Sequence, residues 1–152
     1  MTILRAGSKA PFAMVTKNAD QTIATSTSTA LTWETQSEDE YSMWSSGSNT
    51  RLTTPSWAKV VQVGANIGWT SVGGSSFRRT WTDKNAADFT GRGSYYLNAT
   101  QTTAWTAMYW SAPVVVVGGT DYFRIVARQV TGSNRFIEDA NSWFSVIVQG
   151  TT

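Results

Sequence analysis

The chain contains no histidine and no cysteine. Composition alone therefore excludes Ser-His-Asp triads, cysteine nucleophiles and metal sites built on imidazole or thiolate. The remaining resource for catalysis is carboxylate. Two carboxyl groups across a glycosidic bond can hydrolyse it, one as acid and one as base or nucleophile. The candidates are Glu34, Glu38, Asp39, Glu40, Asp83, Asp88, Glu138 and Asp139. Their spacing sets no pair apart, so the expectation is a protein that is not an enzyme and carries no cofactor and no metal. Glu38-Asp39-Glu40 lacks the alternating oxygen ligands of a dedicated calcium loop and reads as a solvated turn. Gly73-Gly74 and Gly91-Arg92-Gly93 are not followed by the helix that a phosphate-binding loop needs.

The eight tryptophans are the second resource. An exposed indole stacks on sugar rings, whereas a covered one fills a core or a subunit contact. Trp33, Trp69, Trp105, Trp110 and Trp143 fall on strand patterns and are expected to pack. Trp44, Trp57 and Trp81 fall nearer strand ends and are the candidate glycan contacts.

Charge narrows the partners. Lys and Arg number 12 against 10 Asp and Glu, a net charge of +2. The pI of 9.1 reflects that small excess and not a basic patch. Arg78, Arg79, Lys84 and Arg92 are the nearest thing to a cluster, but Asp83 and Asp88 interrupt them. The stretch reads as a mixed solvated loop, and no nucleic-acid partner is expected. The opening MTILRAGSKAPFAM has no apolar core long enough for a signal peptide or a membrane span. Synthesis in a host cytoplasm, with no membrane partner, is the expectation. Asn98-Ala99-Thr100 matches a glycosylation sequon, which without a secretion signal is read as chance.

The elements that must position these residues are strands. From Leu52 to Trp69 the chain reads LTTPSWAKVVQVGANIGW. Val61, Val63, Ala65, Ile67 and Trp69 alternate with Gln62, Gly64, Asn66 and Gly68, the period of a strand with one face in a core. The small second face fits either close approach to another surface, such as a second copy of the chain, or plain solvation. Further strands are expected at Phe12–Thr16, Leu31–Thr35, Tyr95–Leu97, Asp121–Val130 and Trp143–Val148. Phe77–Trp81 is expected to pair back on the central strand, and Asp83–Gly93 to be a loop. Thr102 to Val117 is apolar on both faces, with Trp105, Ala107 and Tyr109 on one and Met108 and Trp110 on the other, so cover on both sides is expected. Gly64, Asn66, Gly68, Trp105, Tyr109 and Trp110 are the candidate subunit contacts.

At 152 residues one domain is the natural count, here 11–152 behind an arm at 1–10. The arm lacks a strand pattern but carries Ile3, Leu4, Arg5 and Lys9, which need a surface to land on. Short strands separated by Gly, Ser and Asn turns give an all-β sandwich or jelly roll.

The C-terminal segments carry a family likeness. Val114 to Val117, Gly118-Gly119, Asp121-Tyr122-Phe123 and Phe144-Ser145-Val146 appear in that order, behind Leu31-Thr32-Trp33-Glu34 and Arg51-Leu52-Thr53-Thr54-Pro55. This resembles the trimeric jelly rolls of the complement-head and tumour-necrosis-factor type, most of all their bacteriophage versions in head fibres, decoration proteins and fibre tips. Members usually carry Gly and an aromatic where the central strand begins; this chain has Ala58-Lys59-Val60-Val61. The resemblance implies a homotrimer with an apolar, aromatic axis and no catalytic residues. It implies a structural protein on the virion surface, decorating or cementing a capsid and attached through its arm to the major capsid protein or another virion protein. The alternative is the receptor-binding tip of a tail or head fibre, reading a host surface glycan. A lectin-like module outside any particle is the third reading.

Overall fold

The computed structural model describes residues 11–70, 76–88, 94–99 and 105–151. The arm expected to serve attachment, with Ile3, Leu4, Arg5 and Lys9, lies outside them, as do Gly73-Gly74 and Gly91-Arg92-Gly93. In chain order the strands are β1 Phe12–Thr16, β2 Gln21–Ile23, β3 Thr29–Ala30, β4 Thr35–Asp39, β5 Leu52–Thr53, β6 Ala58–Trp69, β7 Ser76–Lys84, β8 Ala87–Asp88, β9 Ser94–Ala99, β10 Trp105–Trp110, β11 Val114–Val115, β12 Tyr122–Val130, β13 Arg135–Ile137 and β14 Trp143–Thr151. One 3-10 turn, Ser46–Ser48, is the helical content of the described residues.

The strands form two antiparallel sheets. The first runs β2-β13-β6-β14-β1-β4, with β10 and β11 also on β6; the second runs β3-β12-β7-β8, with β5 on β12 and β9 on β7. β6 is the axis of the first sheet. Its inward row, Val61, Val63, Ala65, Ile67 and Trp69, is fully buried. Facing it from the second sheet are Phe123, Ile125 and Ala127 of β12, all at 0% exposure. Phe144, Val146 and Val148 of β14 and Ala13 and Val15 of β1 extend the same core. Each large aliphatic or aromatic side chain removed from water in this way contributes about 1.5–3 kcal/mol.

Five sequence expectations are corrected. Leu31 to Thr35 is not one strand. Leu31 and Trp33 are fully buried, but their amides donate to Ile125 O and Asn49 O, and the Glu34 amide donates to Thr16 O. The segment crosses between sheets, from β3 on β12 to β4 on β1. Alternating burial survives that crossing; ladder pairing does not.

Phe77–Trp81 does not pair back on β6. β6 is already flanked by β14 and by β10 with β11, so β7 joins the other sheet, with Phe77 opposite Val130 and Lys84 opposite Phe123. Nor is the described part of the expected loop, 83–88, simply a loop; 89–93 lie outside the described residues. β7 continues through Lys84, and Asn85 and Ala86, with φ of 53° and 65°, turn the chain into β8. Two successive positive φ values mark a mirror-image hairpin turn, whose twist suits antiparallel strands.

The basic cluster is correspondingly no solvated loop. Arg78 is buried on the inward face of β7, its guanidinium 5.9 Å from the Trp69 ring. Arg79 pairs with Asp88 at 2.8 Å, and Lys84 with Asp121 at 2.7 Å. The acidic run is not a solvated turn either. Asp39 ends β4, and its carboxylate accepts the amides of Met43 and Trp44 at 2.7 and 2.8 Å.

Candidate subunit interface

The outer face of the first sheet is built by register. One row sets Trp110 opposite Gly64, Gly64 opposite Ser145 and Ser145 opposite Met14. The next sets Met108 opposite Asn66, Asn66 opposite Trp143 and Trp143 opposite Thr16. Toward the other end, Gln62 meets Ile147, which meets Phe12, and Val60 meets Val115. Val115 and Val117 alternate with the core residues Val114 and Val116, so they point to this outer side.

The face is apolar and largely open. Met108 is 65% exposed, Trp110 46%, Val115 74% and Val117 65%. Phe12, Met14, Trp143 and Ile147 are half-buried. From β10 across β6 and β14 to β1 the described outward residues include no ionisable side chain. Charge returns at the margins, at exposed Glu38 opposite Met14 on β4 and at Glu138 over Gly68. An apolar patch without charge is costly to leave in water and fits a covered interface.

The candidate contacts divide on this face. Gly64 and Gly68 do face outward, but what approaches them is the same chain. A side chain at 64 would collide with the Trp110 ring, and one at 68 would press on Asn141 Cβ at 3.2 Å and Glu138 Oε2 at 3.3 Å. Asn66 Nδ2 donates to Asn141 O at 2.5 Å. Gly64 therefore lets the Trp110 ring lie against the sheet, 5.8 Å from the ring of Trp143. The surface left for a partner is the outer side of Trp110 and Met108, so β10 is open on this side of the single chain. Trp105 and Tyr109 alternate with these residues on β10, and their side chains lie outside the description. Sequence reading missed Phe12, Met14, Val115, Val117 and Ile147. The signal was present on β1, where FAMVT is apolar on both faces.

The tryptophans proposed for glycan contact are placed otherwise. Trp81 lies within β7, 6% exposed, with Arg79 over its ring at 4.4 Å and its Nε1 donating to Asp83 at 2.7 Å. That corrects its assignment to a strand end. Trp44 and Trp57 are half-buried against the core. Trp57 also meets the Tyr41 ring edge-on at 5.1 Å.

Two ionic clamps fix the sandwich outside this face. Lys17, its side chain fully buried, donates to Thr32 O at 2.9 Å and pairs with Glu34 at 3.3 Å. Burial pushes the Lys17 ammonium below its usual range, and Glu34 only partly offsets that. Asp121 accepts from Lys84 at 2.7 Å, Asn85 at 2.6 Å and the Val117 amide at 2.7 Å. Burial alone would raise its carboxyl, but these donors outweigh it and hold the group below the ordinary Asp value. Among the other carboxylates, Asp83 pairs with Arg124 and Asp88 with Arg79. Among the described residues, no group of His, Cys, Asp and Glu could hold a metal ion.

No protein-family model matches the sequence, and no curated protein sequence matches it. Among solved structures, Eiger, a tumour necrosis factor of S. frugiperda, is similar with a TM-score of 0.55 and 13% identity over 94% of each chain. The fold is a tumour-necrosis-factor-like jelly roll. At this identity the likeness speaks for the fold alone.

Proposed function

We propose that this jelly roll is a non-enzymatic structural protein that works as a homotrimer closed on the outer face of the first sheet. The observation that carries the reading is the uncharged, apolar and exposed row around Met108 and Trp110. Symmetric association brings residues of that face near their own copies, and a face without charge suffers no like-charge repulsion when it does so.

The particle-level reading is a bacteriophage capsid decoration or head-fibre protein on the virion surface, attached to the major capsid or another virion protein through residues 1–10. Ile3 and Leu4 would enter an apolar groove, and Arg5 and Lys9 would meet an acidic rim. Its support is the likeness of the segments at 114–123 and 144–146 to phage jelly rolls. One short arm binds weakly, because ordering about ten residues costs on the order of 10 kcal/mol of backbone entropy. Three linked arms gain about a hundredfold or more in avidity.

Deleting residues 1–9 and mixing the product with purified particles tests attachment. The expected result is a folded trimer that no longer decorates; unchanged occupancy would refute the arm's role. The second reading, glycan recognition at a fibre tip, rests on the Tyr41–Trp57 pair, where Tyr41 is 39% exposed. It predicts sugar binding on a glycan array that Trp57→Ala abolishes, and a blank array excludes it for the glycans displayed.

A further inference from the structure

We infer that Gln62 and Gln149 fix the register in which the chains close on the outer face, an inference that rests on the trimeric reading above. The two amides interrupt the uncharged, largely apolar face between Val60 with Val115 on one side and Met14 with Trp110 on the other. They are held in place. Gln62 Nε2 donates to Ser111 O at 3.0 Å, and Gln62 Oε1 accepts from Gln149 Nε2 at 2.8 Å. Ser111 is itself pinned to β6, because its Oγ accepts the Val63 amide at 2.9 Å and its N–H donates to Val63 O at 2.7 Å. Gln62 thereby has both a donor and an acceptor partner within the chain, with one N–H left over.

Gln149 is exposed, and among the described residues its Oε1 has no donor. A primary amide has two N–H groups, and Gln149 spends one on Gln62, leaving one donor and one acceptor facing outward. Water satisfies both in the single chain. Once another chain covers the face, an unpaired amide there is costly. The group that matches it is its own copy: the free N–H of Gln149 donates to Oε1 of Gln149 of the partner subunit, and so on around a closed ring. Only rotational symmetry about an axis near Gln149 completes that cycle. A slipped register breaks the cycle and leaves the amides against valine or tryptophan. A single polar layer in an apolar contact specifies coiled-coil register by the same physics.

Two variants test this by native mass spectrometry and sedimentation. Gln149→Glu places like charges around the axis. The trimer should weaken by about tenfold or more at neutral pH and recover in acid, where the carboxyls protonate. The double variant Gln62→Leu with Gln149→Leu should still associate, now in mixed registers and hence as a mixture of assemblies. A Gln149→Glu protein with native trimer affinity at neutral pH, or a double variant that forms one clean trimer, overturns the inference while leaving the trimeric reading standing. A native chain that sediments as a monomer overturns both. Gln149 is exposed, so Gln149→Glu should retain native circular dichroism and keep the test valid if the double variant misfolds.

Discussion

At the scale of single residues, the buried polar groups carry the information that hydrophobic pattern cannot. Lys17 and Asp121 sit in unremarkable sequence, yet one ties β1 to the 32–34 crossing and the other ties the β7–β8 turn to the turn after Val117. Asp121 gives a pH dependence with a definite sign. Its folded pKa lies below the unfolded one, so its contribution is fully present above the ordinary Asp value of about 3.9 and is lost as pH falls through the folded pKa. Urea unfolding of the native chain between pH 6 and pH 2 should therefore show an acid decline that Asp121→Asn reduces. The variant should also lose about 1–3 kcal/mol at neutral pH, since Lys84 keeps its charge without a counterion. Parallel acid limbs in the two proteins would mean that Asp121 does not titrate as placed.

At the scale of elements, legibility followed the number of neighbours. β6, β12 and β14 pack one face on the opposing sheet, and their period-two rows were readable in sequence at Val61–Trp69, Phe123–Ala127 and Phe144–Val148. Leu31 and Trp33 were readable as buried but not as unpaired, because pairing is decided by which sheet the next segment joins. β7 misled for a different reason: its inward side chains are Arg78, Thr80 and Thr82, and Trp81 and Asp83 on the other face are buried too, so neither hydrophobicity nor burial alternates along it. The β7–β8 hairpin was missed because its turn is Asn85-Ala86 and not Asn-Gly. Alanine at φ 65° is strained, as left-handed backbone costs an L-residue about 1–2 kcal/mol. Ala86→Gly is thus expected to stabilise the fold by about 1 kcal/mol after the entropy of a freer unfolded chain is set against the relief. A shift of the urea midpoint to lower concentration would contradict the turn geometry.

At the scale of the whole molecule, the fold was legible and the make-up of its outer face only partly so. The strand with small residues pointed to close approach, but Gly64 is closed by the chain's own Trp110, which moves the proposed contact surface one layer outward. That surface could not be read from β6 alone. It is assembled from β1, β6, β10, β11 and β14, whose register sets Met14, Trp110, Met108 and Trp143 side by side. Self-association through it is the central claim. Sedimentation equilibrium of the native chain at micromolar concentration tests it most directly, with Met108→Glu as the control, because Met108 is 65% exposed and the fold does not depend on it. The expected result is the mass of three chains for the native protein and of one folded chain for Met108→Glu. A native protein that sediments as a stable monomer, or a Met108→Glu variant that remains fully trimeric, would contradict it.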